Sequence, residues 1–184
     1  MNYKNFTIRF IGLKDGVHNY IFKINNEFFD LFEYSELTEG DLEAKVEFKK
    51  AATMLTFNIH IKGTVKLTCD VCVDEFEHSL DFKNTIYIKF GEEYEELDLD
   101  LIMIDKNDID FDLSKLFYDL IVVNLPTRRV HPTDKDGNST CNPEMLKQIE
   151  ELLVYESNSE REDDEEENID SRWNELKKLK NGTS

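Results

Sequence analysis

Apolar and polar residues alternate with a period of two through most of the first half of the chain. Phe6, Ile8 and Phe10 alternate with Thr7 and Arg9, and after a turn at Lys14-Asp15-Gly16 the pattern returns in Tyr20, Phe22 and Ile24. Ala44, Val46 and Phe48 stand against Lys45, Glu47 and Lys49; Leu55, Phe57, Ile59 and Ile61 stand against Thr56, Asn58, His60 and Lys62. The break at Lys50-Ala51-Ala52 joins these two runs as a hairpin. Gly63 is expected to turn the chain into a further strand through Val65 and Leu67, and after a short interruption Leu80, Phe82, Ile86, Ile88 and Phe90 alternate up to Gly91. Period two sends successive side chains to opposite faces, so one face is core and the other wet, as in an antiparallel sheet. Leu97, Leu99 and Leu101 alternate inside an acidic stretch, part of which reads as an edge strand whose charges oppose edge pairing.

The period then becomes helical. Asn26 is expected to cap a short helix burying Phe28, Phe29 and Phe32. Asp112 opens a longer one in which Leu113, Leu116, Phe117, Leu120 and Ile121 share a face, and Pro126 marks its end. Residues 125–140 read as irregular. Asn142 followed by Pro143 is an N-cap with proline at the first helical position, starting a helix expected to bury Met145, Ile149, Leu152 and Leu153. From Glu156 to Asn168 the chain is Ser, Asn, acid and Arg161, the composition of a disordered linker. Trp173, Leu176 and Leu179 beyond it lie three apart, a narrow apolar stripe on a helix that is marginal alone in water. Trp173 and Leu176 are therefore candidate partner-binding residues. The expected architecture is an α+β domain over 1–155 with a mainly antiparallel sheet of about six strands and two packed helices. An acidic disordered linker, 156–169, and a short C-terminal docking helix, 170–184, follow.

Composition supports one core plus a tail: 184 residues with 40% hydrophobic side chains. Charge changes the picture more. The net charge of −18 is segmental, since residues 92–112 hold ten acids and one base and residues 156–184 hold ten acids and five bases. Such a chain is a poor general ligand for nucleic acid and suits a basic protein better. No targeting segment and no apolar run of transmembrane length are visible, so the expectation is a cytoplasmic protein without membrane contact.

The candidate chemistry lies in Cys69-Asp70-Val71-Cys72, set between two alternating runs. A Cys-x-x-Cys knuckle puts two sulfurs on one side of a turn, half of a zinc site. The third cysteine is Cys141, with His131 ten positions before it. Together they compose a tetrahedral Cys3His zinc set. The bland alternative is buried free thiols, which pack well. His60 and His78 compete with His131; His78 shares strand parity with Phe76 and Leu80, whereas His60 lies on a polar face. A redox Cys-x-x-Cys sits at a helix N-terminus, and here both flanks read as strands. Arg128 and Arg129 could clamp phosphate or simply be solvated. Lys45, Lys49, Lys62 and Lys66 could form a basic stripe, but Glu43 and Glu47 interleave with them, favouring a solvated face. No Gly-rich phosphate loop, Gly-x-Ser-x-Gly or His-Glu-x-x-His appears, so the chain reads as a non-enzyme.

Cys69-Asp70-Val71-Cys72 followed by Phe76 also resembles the first motif of a known family. Tyr94-Glu95-Glu96-Leu97-Asp98, Ile109-Asp110, the 113–124 helix, Leu125-Pro126, His131 and Cys141 resemble its second, and the tail with Trp173 and Leu176 its C-terminal element. This is the YceD/DUF177 family, the large ribosomal RNA subunit accumulation proteins. The resemblance is strong from about residue 64 to residue 144. It implies a non-enzymatic ribosome-biogenesis role in keeping large-subunit ribosomal RNA, with that RNA or a basic large-subunit ribosomal protein as partner. The alternative is a zinc-ribbon-like adaptor between proteins, without RNA contact. Two positions depart from the family's pattern: Val71, where a basic residue is common, and Arg129, where proline is common.

Overall fold

The chain alternates because it builds a sheet with one buried face. The computed structural model describes residues 6–157. In chain order it forms β1 (Thr7–Arg9), β2 (Gly16–Ile24), α1 (Asn26–Phe29), β3 (Gly40–Lys50), β4 (Met54–Thr68) and β5 (Glu75–Gly91). Then come β6 (Glu95–Asp98), β7 (Leu101–Asp105), β8 (Asp110–Asp112), α2 (Ser114–Val123) and α3 (Pro143–Ser157). This is an α+β fold whose six-stranded sheet has the order β2-β3-β4-β5-β7-β6, with β1 and β8 paired separately. The residues to Cys141 form one unit and those from Asn142 a second.

Register makes the core. Phe48 pairs with Phe57, which pairs with Ile86, and all three are buried. The two phenylalanine rings stack with centroids 4.8 Å apart. Burying each such ring contributes about 1.5–3 kcal/mol. Phe6, Phe28 and Phe117 close the core from the helix side, Phe6 lying 4.9 Å from Phe28 and 6.2 Å from Phe117 between ring centroids. In α2, Phe117, Leu120 and Ile121 are buried, and Leu113 just before it is wholly so. The Asp112 carboxylate accepts hydrogen bonds from both the amide and the hydroxyl of Ser114, at 2.9 and 2.6 Å, which starts the helix.

Three local expectations are corrected. Gly63 does not turn the chain: β4 runs straight through it for 15 residues. Its φ of +151° and a site where a Cβ would lie 2.1 Å from the Asp41 carbonyl oxygen explain the glycine. Asn26 does not cap α1; Asn25 stands at that position, and the Asn26 side chain accepts from the Gly40 amide at 3.0 Å. The expected edge strand in part of the acidic stretch is β6, which holds Leu97, and residues 99 and 100 then turn the chain between β6 and β7. The chain leaves β5, forms the edge strand β6, and returns as β7 between them, parallel to β5 and antiparallel to β6.

The third correction concerns α3, where Met145 and Ile149 are half-buried but Leu152 is 71% exposed. The Asn142 side chain accepts from the Glu144 amide at 3.0 Å, as an N-cap with Pro143 behind it does. The expected burial of Leu153, most of the acidic linker, and the helix with Trp173 and Leu176 fall outside the described residues.

Candidate metal centre

β4 and β5 form the longest hairpin of the sheet, paired from Met54 with Lys89 to Thr68 with Glu75. Its loop is the knuckle. The Cys69 amide donates to the Asp74 carbonyl at 2.9 Å and the Val73 amide to the Cys69 carbonyl at 3.0 Å, folding the loop back on itself. The Val71 amide points at the Cys69 sulfur, 3.4 Å away. This tight geometry places Val73 at φ +62°, a conformation that a β-branched residue adopts only under constraint.

A second, smaller turn supplies the other half. Thr133 and Ser139 form an isolated antiparallel bridge, and the Thr140 hydroxyl donates to the Pro132 carbonyl at 2.6 Å. Inside it the Asp134 carboxylate accepts from the amides of Asp136 and Asn138, at 2.9 and 2.8 Å, and Gly137 has φ +85°. His131 and Cys141 are the two ends of this turn, so a separation of ten positions still leaves them adjacent. The sequence carried the signal in Asp136-Gly137, a strong turn dipeptide.

The two halves meet. The ligand atoms of Cys69, Cys72, His131 and Cys141 lie within 4.8 Å of one another. The sulfurs of Cys69 and Cys141 are 3.7 Å apart, and Nδ1 of His131 is 3.4 Å from the Cys72 sulfur and 3.7 Å from that of Cys141. A tetrahedron with zinc–sulfur bonds of about 2.3 Å and a zinc–nitrogen bond of about 2.0 Å has S···S edges near 3.8 Å and S···N edges near 3.5 Å. These three separations match those edges. They exclude a disulfide, whose sulfurs sit about 2.05 Å apart, and all three cysteines are free. Three thiols and an imidazole are thus gathered closely enough to hold a metal ion. Among the described residues this is the one such grouping.

Burial and polarity act together on the thiols. At Cys69 desolvation opposes ionisation, but the amides of Cys72 and Val71 together with His131 outweigh it, and the thiol falls from 9.0 to about 6. At Cys141 the Ser139 hydroxyl favours the thiolate, while burial and the sulfurs of Cys69 and Cys72 prevail and hold the thiol above its ordinary value. The cluster thus prefers to ionise one sulfur first, as neighbouring like charges require. The His131 ring rests on Phe76, with centroids 4.9 Å apart, and Phe76 is paired with Leu67 at the foot of the knuckle. Its orientation is therefore set by the sheet.

The competing histidines lie elsewhere. His60 is on the polar sheet face, 2.7 Å from the Asp81 carboxylate, and His78 is half-buried on β5 opposite Val65. Arg129 is not a free cation: its guanidinium is 2.6 Å from the Glu36 carboxylate. Arg128 is exposed. Three of the four lysines of the stripe are also engaged, with Lys45 3.1 Å from Glu43, Lys62 3.1 Å from Asp81, and Lys66 3.0 and 2.9 Å from Glu39 and Glu75.

Among the described residues no helix is long and apolar enough to cross a membrane. A family model described as large ribosomal RNA subunit accumulation protein YceD matches residues 57–180, a span that contains all four clustered ligands. No curated protein and no solved structure matches the chain significantly.

Proposed function

This chain belongs to the YceD family, and from that membership we propose that it is a non-enzymatic ribosome-biogenesis protein acting in the cytoplasm. It supports accumulation of large-subunit ribosomal RNA by binding precursor RNA or a large-subunit ribosomal protein. The family match carries this reading. The closed Cys3His set supports it, since Cys69, Cys72, His131 and Cys141 would hold zinc with no position left for a substrate. Zinc bound there supplies cross-linking of the hairpin tip to the 131–141 turn, not chemistry.

The second reading is an adaptor between proteins with no RNA contact. What favours it is the pairing of Lys45, Lys62, Lys66 and Arg129 with carboxylates of the chain itself. Phosphate contact needs cations that can be spared. Trp173 and Leu176 are proposed as partner-binding residues on a tethered segment.

Affinity purification of the tagged full chain, with and without ribonuclease, separates the readings. Enrichment of large-subunit precursor RNA that ribonuclease abolishes, together with loss of bound ribosomal protein, supports direct RNA binding. Ribonuclease-resistant recovery of a large-subunit ribosomal protein supports the protein-binding form of the first reading, and ribonuclease-resistant recovery of other proteins alone, without precursor RNA, supports the adaptor. Recovery of neither, with normal large-subunit RNA levels in cells lacking the protein, overturns both.

A further inference from the structure

The inward face of β5 is interrupted once in its second half: Asn84 stands on the same parity as Phe82 and Ile86. There the helix layer leaves part of the sheet uncovered. A groove of about 870 Å³ runs between the β5–β7–β6 edge and α2. Ile102 and Leu120, 7% and 8% exposed, form its floor. Two apolar side chains stand in solvent at its rim, Leu99 at 93% and Val123 at 81% exposure. Leucine at the tip of a hairpin and valine at the last turn of a helix contribute nothing to this unit's core. Among the described residues they are an apolar surface without a partner, of the kind that marks an interaction site.

The charge around this surface is one-sided. Glu96, Asp98, Asp100, Asp112 and Asp119 line the groove against a single base, Lys115, which is already held by Glu96 at 2.9 Å. Desolvation raises the Asp119 carboxyl above its ordinary value; Lys115 works against this and Glu96 adds to it. A cation placed there would relieve that cost. Such a rim repels phosphate, so RNA is disfavoured. A bare metal ion would leave the apolar floor and rim unused. The ligand chemistry that answers both halves is a basic polypeptide with apolar anchors.

We propose that the groove between α2 and the β6–β7 hairpin is the docking site for a lysine- or arginine-rich segment of a partner protein, with apolar anchors seated against Leu99, Val123 and Leu120. This names a partner class for the binding role proposed above and rests on it. The groove lies wholly within residues 84–124 and is independent of the metal centre.

The test uses the full chain and a fluorescein-labelled peptide of leucine and lysine at helical spacing, about four turns long. A peptide with glutamate for lysine serves as control, and binding is read by anisotropy. The lysine peptide should bind, the glutamate peptide should not, and affinity should fall as salt rises from about 50 to 200 mM. Leu99→Ser with Val123→Ser should weaken binding at least about tenfold with an unchanged circular dichroism spectrum, both residues being exposed. Asp100→Asn with Asp119→Asn should weaken it about threefold or more and flatten the salt dependence. Equal binding by wild type and both double variants overturns the proposal, as does failure of the lysine peptide to bind. Displacement of the peptide by a uridine homopolymer at the same residues would make the groove an RNA site and also overturn it. Failure of the proposed function looks different: the chain would not co-sediment with large-subunit precursors, whatever the peptide does.

Discussion

The backbone amide of Asp70 donates to the Arg129 carbonyl at 2.7 Å, and the Arg129 amide returns a hydrogen bond to the Asp70 carboxylate at 2.7 Å. These two residues, 59 positions apart, clamp the knuckle to the loop that carries His131. The donor–acceptor pair sets the spacing of the two half-sites before any metal is considered. Asp70→Ala should remove one of the two bonds and cost about 1 kcal/mol, since the group is exposed. It should also lower zinc affinity about tenfold by loosening the frame of the ligands. Asp70→Asn keeps an acceptor and should recover most of both, as measured by urea unfolding and chelator competition.

Native mass spectrometry of the full chain should find one zinc per chain. Cys141→Ser should lower zinc affinity by roughly 100-fold or more, because the thiolate is the ligand and hydroxyl is not a substitute. Chelation of the wild type should lower the melting temperature and leave that of Cys141→Ser nearly unchanged. Equal melting temperatures for wild type with and without chelator, and no bound metal, would sink the zinc reading.

Val73 holds φ +62° while 67% exposed, so its side chain buries little to offset the strain. Glycine removes a left-handed penalty of about 1–2 kcal/mol at a smaller cost in unfolded-chain entropy. Val73→Gly should therefore stabilise the protein by about 0.5–1 kcal/mol, seen as a higher urea midpoint at unchanged slope.

Gly63 should behave in the opposite sense. An added Cβ meets the Asp41 oxygen at 2.1 Å and the Leu42 Cα at 2.7 Å, both backbone atoms of β3. Gly63→Ala combines a left-side φ with overpacking and should cost about 3 kcal/mol. A change of less than about 0.5 kcal/mol would mean that β3 can move aside.

Arg128 and Arg129 should separate in any RNA-binding assay. Arg128→Ala removes an exposed cation and should flatten the salt slope by about one unit if the loop contacts phosphate. Arg129→Ala breaks the pair with Glu36 and should act mainly on stability. An unchanged slope for both variants would place any RNA contact elsewhere.

Much of this was legible in the residues. Phe48, Phe57 and Ile86 occupy the core side because a period-two pattern leaves a strand no other way to bury them. Phe117, Leu120 and Ile121 were assigned to one helix face by the same logic at period 3.6. Which part of the acidic alternation is strand was not legible, because alternation in a turn looks like alternation in a strand, and here residues 99 and 100 reverse the chain. Gly63 was misread because glycine signals both a turn and a close approach of backbones, and only the neighbour across the ladder, Leu42, tells which.

The sequence by itself narrowed the candidate soft-donor set to the three cysteines and a histidine, because those side chains are the soft donors present, but it left His60 and His78 beside His131. It also determined the parity of each long strand, since hydrophobic burial acts on every second side chain regardless of which strand lies alongside. Tertiary structure alone decided that β7 inserts between β5 and β6, that Arg129 faces Glu36, and that the acids near Leu99 border an apolar groove. Those are pairings between distant positions. They depend on register and on which surface the helices leave uncovered, and no local pattern of side chains carries that information.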